Sequence, residues 1–171
     1  AGAAGEGLRV YVSQGKKLQF SDESQREGIA AVTRSRSTYG AVFLDYDLDG
    51  WPDLLTANGD PDSSQPLHLL WNGGPKVEMI FQSVSQEQSG KDLFQLLAGR
   101  GLAYADIDGD NDLDILVSQH RGPPVLLRND QATGHRSLRL KLIGSRGARD
   151  AIGARVTVHG AKRVWRSQVM P

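Results

Sequence analysis

Two short acidic segments contain the residues whose types and spacing could do chemistry. They are residues 45–53 (DYDLDGWPD) and residues 106–114 (DIDGDNDLD), and each has aspartate at positions 1, 3, 5 and 9. Carboxylates on alternate residues converge when a loop curls around a hard cation, and Ca²⁺ prefers such oxygen ligands. We therefore expect each segment to bind one Ca²⁺, with a backbone carbonyl at position 7 helping to complete the oxygen shell.

The residues within and beside these segments distinguish them from an EF-hand. Position 6 needs a flexible residue for a sharp bend, and Gly50 and Asn111 occupy it. An EF-hand also needs glutamate at position 12, where this chain has Thr56 and Val117, and its flanks here favour strands over helices. Two alternatives stay open at this point, which are acidic turns that hold no ion and a catalytic Mg²⁺ site.

Both acidic segments belong to an internal repeat with an offset of 61 residues. The motif LLWN at 69–72 also resembles LLRN at 126–129. A set of matches this large indicates a tandem repeat. The 61-residue offset aligns identical residues along the unit: Phe20 with Phe81, Ser24 with Ser85, Gln25 with Gln86, Gly40 with Gly101, Asp45 with Asp106, Asp49 with Asp110 and Asp53 with Asp114.

Short apolar runs separated by Gly, Asp, Asn and Pro predict four short strands in each unit. Residues 92–97 have a helical spacing of apolar residues, so we expect a short helical turn or an ordered loop there. Such units in series predict an all-β fold of β-propeller-type, four-stranded antiparallel blades in an incomplete propeller, followed by a small β module. The predicted strands are 8–12 and 18–20 of a preceding unit, then 41–44, 54–56, 67–71, 77–81, 102–105, 113–118, 125–127 and 138–143.

The C-terminal segment departs from the repeat. Apolar residues alternate with polar ones around Leu138 and again around Val156, which predicts half-buried strands, and we expect a third strand at 163–169. The expected regions are 1–39, the end of a preceding blade and its connection; 40–100, the first calcium-binding blade; 101–134, the second calcium-binding blade; and 135–171, a truncated β segment.

Composition excludes several classes of protein. The 171 residues include 20 Lys and Arg, 20 Asp and Glu, and no Cys. The absence of Cys excludes a disulfide scaffold, a thiolate metal site and a Cys nucleophile, and the apolar runs are too short to span a bilayer. No P-loop, dinucleotide fingerprint or zinc-protease motif is present. The basic C-terminal segment lacks interleaved aromatic residues apart from Trp165, which disfavours nucleic-acid binding.

These motifs resemble a known family. Residues 40–72 and 101–129 resemble FG-GAP/VCBS-type repeats, the calcium-binding blades also found in integrin α propellers. Residues 20–28 and 136–158 resemble, respectively, the blade connection and the ASPIC/UnbV module of the subgroup that includes cartilage acidic protein and its bacterial relatives. The resemblance implies an extracellular, calcium-dependent β-propeller protein. The ligands it implies are the carboxylates of Asp45, Asp47, Asp49, Asp53, Asp106, Asp108, Asp110 and Asp114 and the main-chain carbonyls of Trp51 and Asp112.

Propellers of this family have several more blades than the two and a half that this chain contains. We therefore expect a fragment of a longer protein or, as the second choice, several chains that assemble into one ring. An open stack of blades leaves sheet faces and edges uncovered. Self-association, or contact with polypeptide outside this chain, is the expected consequence.

Two classes of function stay open. The first is a secreted, extracellular or periplasmic module that binds Ca²⁺ structurally and recognises a protein or glycan in adhesion, without catalysis and without nucleic acid or a membrane span. The second is the propeller part of a secreted hydrolase or lyase. A pocket containing His120, Asp60 or Asp62 would favour the enzyme, and a groove-like rim with exposed aromatic residues would favour the module.

Overall fold

Short antiparallel strands make up most of the regular structure. A computed structural model describes residues 7–15, 18–77, 80–131, 133–145, 147, 149–161 and 163–169. The chain forms two compact units, residues 1–135 and residues 136–171. The strands are β1 (Tyr11–Ser13), β2 (Phe20–Asp22), β3 (Thr38–Leu44), β4 (Asp53–Asp60), β5 (Ser63–Ser64), β6 (His68–Asn72), β7 (Phe81–Ser83), β8 (Gly99–Ala105), β9 (Asp114–Gln119), β10 (Val125–Leu127), β11 (Arg155–His159) and β12 (Val164–Gln168).

In the part of the chain that the structure describes, helical structure is confined to short connections. The helices are α1 (Ile29–Thr33) and α2 (Gln86–Ser89), and 3₁₀ turns occur at Gly74–Lys76 and Asp92–Phe94. The turn at Asp92–Phe94 agrees with the helical turn expected within 92–97, whereas α1 and α2 were not predicted. Within the described residues, no helix is both long and apolar enough to cross a membrane.

The first blade is a four-stranded antiparallel sheet in the order β3-β4-β6-β7, and the two-residue strand β5 pairs with β4. Its third strand lies where it was predicted. Its fourth strand, β7, begins at Phe81, the last residue of the strand predicted over 77–81, and residues 78 and 79 of that prediction lie outside the described part of the chain. A 3₁₀ turn that contains Pro75 precedes it at Gly74–Lys76. Proline fixes its own backbone angle and has no N–H for a sheet ladder, which favours the turn.

The second blade contains three strands in the order β10-β9-β8. The predicted fourth strand at 138–143 was wrong, because these residues form no strand and Leu138 and Leu140 are exposed. Alternating leucines favour a strand only when a neighbouring edge pairs with its backbone. In unit 2 (residues 136–171), β11 and β12 pair as an antiparallel hairpin, close to the strands predicted there.

The hairpin β1–β2 repeats the outer half of the first blade in register. Tyr11 pairs with Asp22, and Ser13 pairs with Phe20. The 61-residue offset carries β2 onto β7, where Leu70 pairs with Ser83 and Asn72 pairs with Phe81. The N-terminal hairpin therefore has the same register as the last two strands of the first blade.

Two apolar cores hold the unit of residues 1–135 together. The larger core lies between the blades and includes Leu55 and Leu69 of the first blade with Ile115 and Val117 of the second. A smaller core covers the opposite face of the first blade, where Leu54, Leu70 and Phe81 pack with Ile29 of α1 and with Leu8 and Val10. Burial of such side chains stabilises a fold by about 1.5–3 kcal/mol each.

Polar contacts join the two blades at the end opposite the acidic loops. Arg100 of β8 donates a hydrogen bond through Nη1 to the carbonyl oxygen of Gly59 in β4 (2.7 Å). Its guanidinium lies 3.9 Å from the ring centroid of Tyr39 in β3. The Tyr39 hydroxyl donates to Asp60, and this hydrogen bond raises the pKa of Tyr39. The contacts fix how the second blade is placed on the first.

Gly40 permits close approach of the blades. A Cβ atom at this position would lie 2.2 Å from the carbonyl oxygen of Arg100. Its repeat equivalent, Gly101, faces a single near atom, the Ser118 hydroxyl oxygen at 2.9 Å. We expect Gly40→Ala to lower the free energy of unfolding by about 1–3 kcal/mol, because backbone must shift to relieve the overlap. Gly101→Ala is the matched control, and equal losses in urea unfolding of the two variants would contradict this account of the interface.

His68 is a buried histidine that favours the neutral form. It is 6% exposed, its Nε2 lies 2.9 Å from the Ser83 hydroxyl, and its Nδ1 has no hydrogen-bond partner. Burial, followed by the charge of Arg36, lowers the pKa of His68 from 6.5 to about 4. Between these two values, the unfolded chain binds a proton that the folded chain does not.

This histidine makes stability fall as the pH decreases from about 6.5 towards about 4. At about pH 5 the loss is expected to be about 2 kcal/mol relative to neutral pH. Urea unfolding measures the loss of unfolding free energy between neutral pH and about pH 5. In the variant His68→Gln this loss should be smaller than in the parent by about 2 kcal/mol. A variant that keeps the full pH dependence of the parent would contradict the assignment.

Candidate metal centre

Each acidic loop connects the first strand of its blade to the second. The loop of residues 45–52 joins β3 to β4, and the loop of residues 106–113 joins β8 to β9. Both loops have left-handed backbone at positions 4 and 6, with φ of 58° at Leu48, 85° at Gly50, 85° at Gly109 and 79° at Asn111. Position 6 was predicted to bend in this way. Position 4 was not, because the leucine at this position of loop 1 rarely adopts this conformation, although Gly109 at the same position of loop 2 favours it.

Loop 1 (residues 45–53) brings three carboxylates together. Oxygen atoms of Asp45, Asp47 and Asp49 all lie within 4.8 Å of one another. Asp45 Oδ2 accepts a hydrogen bond from the Gly50 amide (2.9 Å), and Asp49 Oδ1 accepts one from the Trp51 amide (2.7 Å). The other oxygen of Asp45, Oδ1, is buried without a hydrogen-bond partner. A buried carboxylate oxygen without a partner is unfavourable unless a cation satisfies it.

Loop 2 (residues 106–114) groups a different set of its aspartates. Oxygen atoms of Asp106, Asp108 and Asp114 lie within 4.8 Å of one another. Asp110 accepts a hydrogen bond from the Asp112 amide (2.9 Å), as Asp49 does from Trp51 in loop 1. This bond is shared by the two loops, but Asp106 accepts from the amide of Gly109 at position 4 (2.7 Å), whereas Asp45 accepts from that of Gly50 at position 6.

Asp53 and Asp114 at position 9 tie each loop to its blade. Asp53 is 0% exposed and Asp114 is 1% exposed. Asp53 accepts hydrogen bonds from the amides of Tyr46 (3.0 Å) and Asn72 (2.8 Å). Asp114 accepts the equivalent pair, from the amides of Ile107 (2.9 Å) and Asn129 (3.0 Å). Asp53 is not in the group of close carboxylates of loop 1, whereas Asp114 belongs to that of loop 2.

Contacts from distant residues surround loop 1. The Trp71 indole donates to Asp47 Oδ2 (3.1 Å), and the Asn129 side chain donates to the Tyr46 carbonyl (2.9 Å). The Asp47 carbonyl oxygen lies 2.7 Å from Nδ1 of His135 and accepts a hydrogen bond from the Thr133 hydroxyl (3.2 Å). Sequence reasoning missed these residues. The one indication in the sequence was Asn129, which ends the motif LLRN as Asn72 ends LLWN.

Burial and like charge disfavour the ionised aspartates when no cation is present. Burial first, and then the charges of Asp49 and Asp47, raise the pKa of Asp45 to about 6. Burial raises the pKa of Asp53 to about 7. In loop 2, burial and the neighbouring carboxylates raise the pKa of Asp112. A divalent cation among these groups would offset the repulsion and favour their ionised forms.

Residues 45–117 match a family model described as the FG-GAP-like repeat. The matched segment begins with loop 1 and ends within β9, so it contains both acidic loops. No curated protein matches the chain. Repeats of this type form propeller blades, and the mostly β structure with antiparallel sheets confirms the predicted fold class. Closure of a ring is not seen in the part of the chain that the structure describes. The match does not reach residues 20–28 or 136–158, so no finding supports the expected resemblance to the cartilage acidic protein subgroup and its ASPIC/UnbV module.

The buried carboxylate of Asp53 should stabilise the blade whether or not a cation is bound. Asp53→Asn keeps one acceptor oxygen and places an NH₂ group near the second backbone amide. We expect this variant to lose about 1–3 kcal/mol of unfolding free energy in the presence of chelator, because a buried amide then lacks an acceptor.

Thermal and urea unfolding of the chelated protein measure this effect. Asp62→Asn is the control, because Asp62 is exposed outside both loops. If Asp53→Asn lowered the unfolding free energy with Ca²⁺ present but not with chelator, Asp53 would be a Ca²⁺ ligand and not an anchor of the loop.

Proposed function

We propose that this chain is a calcium-stabilised β-propeller repeat module that recognises a protein or glycan and has no catalytic role of its own. The observation that carries the proposal is the pair of repeat-related loops, each with three carboxylates whose oxygens lie within 4.8 Å of one another. The FG-GAP-like match over residues 45–117 supports Ca²⁺ as the ion in both loops.

The donor set of the loops suits Ca²⁺. All the grouped side chains are carboxylates, and hard oxygen donors select Ca²⁺ or Mg²⁺ over zinc and copper. Mg²⁺ requires near-ideal octahedral geometry and keeps its water, so a flexible loop of closely spaced carboxylates suits Ca²⁺ better. The unpartnered, buried Asp45 Oδ1 gives such an ion a place in loop 1.

The residues assigned to the ions differ between the loops. In loop 1, Asp45, Asp47 and Asp49 would hold the ion while Asp53 anchors the loop. In loop 2, Asp106 and Asp108 would hold it with Asp114, which also anchors that loop. The carboxylate of Asp110 and the carbonyls of Trp51 and Asp112 are proposed as further donors.

An extracellular or periplasmic location agrees with sites of this kind. The loops lack the bidentate glutamate at position 12 that an EF-hand supplies, because Thr56 and Val117 occupy that position. We therefore expect dissociation constants of about 10⁻⁴–10⁻³ M, the range of extracellular modules. Ions bound this weakly would be retained where Ca²⁺ is abundant and would act as structural ions.

A groove beside the second blade provides a surface for recognition. Its volume is about 900 Å³, and it is lined by apolar residues such as Leu93 and Ile115 and by polar residues such as Gln88, Gln95 and Arg128. His120, Asp60 and Asp62, whose presence in a pocket would have favoured an enzyme, do not line this groove. Apolar lining with a few polar groups is typical of a ligand-binding groove.

Calorimetric titration with Ca²⁺ tests the proposal. The chain should bind two ions, and saturating Ca²⁺ should raise its melting temperature, because a ligand that binds the folded form stabilises it by mass action. Asp47→Ala and Asp108→Ala should each remove one ion and leave the other. Asp62→Ala is the control and should keep both.

Tryptophan fluorescence separates the two loops in the same titration. Trp71 donates to Asp47 in loop 1, and Trp51 lies within that loop, whereas loop 2 contains no tryptophan. The calcium-dependent fluorescence change should therefore disappear in Asp47→Ala and persist in Asp108→Ala. A stoichiometry of zero, or a melting temperature that chelator does not change, would refute the proposal.

A further inference from the structure

The two blades show which face of a blade needs a neighbour. Residues directly opposite each other on paired antiparallel strands share one face of the sheet. In the first blade, Leu55 pairs with Leu69, and both belong to the core between the blades. We call this side of a blade its forward face. The side that contains Leu54 and its partner Leu70 is the rear face, and it packs against Ile29 in the smaller core.

The second blade packs its rear face on the forward face of the first. Ile115 aligns with Leu54 at the 61-residue offset, so it lies on the rear face, and it packs in the core between the blades. Its strand partner Leu127 packs against the same core. Contact of a forward face with a rear face is therefore the interface that the chain itself builds.

Among the described residues of 1–135, no sheet covers the forward face of the second blade. Leu116 pairs with Leu126, just as Leu55 pairs with Leu69 in the first blade. Leu55 and Leu69 are 0% and 3% exposed, whereas Leu116 and Leu126 are 43% and 54% exposed. The same positions of the repeat are thus buried in the first blade and exposed in the second.

The N-terminal hairpin presents the complementary half. Because β1–β2 repeats β6–β7 in register, Tyr11 occupies the position of Leu70 and Phe20 that of Phe81. Leu70 and Phe81 are buried, but Tyr11 and Phe20 are 55% and 61% exposed. The opposite side of this segment corresponds to a forward face. Its residue Val10 packs on the smaller core, against the rear face of the first blade. Tyr11 and Phe20 therefore form an exposed rear face.

We propose that the forward face of the second blade binds the rear face of β1–β2 in a second copy of this chain. The interface repeats the packing that this chain forms twice internally, once in each of its two cores. A second copy fits because the same chain exposes both halves of such an interface, with leucines on the second blade and aromatic side chains on the hairpin β1–β2. Such a contact is heterologous, so each added copy leaves one face of each kind open, and growth stops only when a ring closes.

Sedimentation velocity over a range of protein concentrations tests this head-to-tail association. The parent chain should form dimers and larger species. A forward-blocked variant, Leu116→Lys with Leu126→Lys, and a rear-blocked variant, Tyr11→Lys with Phe20→Lys, should each be monomeric at the same concentrations. All four positions are exposed, so the melting temperature of each variant should stay close to that of the parent.

Mixing the two blocked variants gives the decisive result. One copy then supplies an intact forward face and the other an intact rear face, so an equal mixture should form dimers and no larger species. Leu96→Lys is the control, because Leu96 is 70% exposed in the connection between the blades and lies on neither face. This variant should associate like the parent.

Several results would overturn the proposal. A parent chain that stays monomeric at the highest concentration would do so, as would a mixture that contains monomers alone. Association abolished by only one of the two double variants would indicate a symmetric contact of one face with itself. These measurements do not depend on ion stoichiometry, so their failure would leave the proposed calcium sites untouched.

Discussion

Packing between the forward face of one blade and the rear face of the next is the interaction on which the unit of residues 1–135 depends. A sheet of three or four short strands has two apolar faces and cannot bury both by itself. Both faces of the first blade are covered, because Leu55 packs in the core between the blades and Leu54 packs in the smaller core with α1. Gly40 and Arg100 show how closely the two backbones approach. The acidic loops depend on this packing because they project from the ends of the strands that it fixes.

The loops place like charges at the ends of a well-packed structure. The carboxylates of Asp53 and Asp114 accept hydrogen bonds from the backbone amides of Asn72 and Asn129. These bonds hold each loop to the end of the third strand of its blade. In loop 1 the other three aspartates lie close together, and the pKa of Asp45 rises because the site is partly buried and its neighbours are acidic. A cation would relieve this cost, so we interpret the loops as sites where the binding of an ion and the stability of the blade are coupled.

Much of the fold and of the candidate site follows from the sequence. The 61-residue offset indicated a repeat, and strand-length apolar runs indicated antiparallel blades, because alternation of two faces is a local property of a strand. The acidic loops and the bends at Gly50 and Asn111 were also predictable, since ligand spacing and left-handed backbone are set within a few residues. The predicted strand at 138–143 failed because pairing depends on a neighbouring edge that local residues do not provide.

The sequence by itself determined the repeat, the blade-like strands and the grouping of aspartates in two loops, since each depends on residues close together in the chain. Only the tertiary structure decided that Asp53 serves as an anchor, because its amide partner at Asn72 lies 19 residues away. It likewise decided that Asn129 reaches the Tyr46 carbonyl across 83 residues. Leu55 and Leu116 occupy one position of the repeat, and which of them is buried depends on whether another sheet lies against it, because burial is a property of the assembled structure.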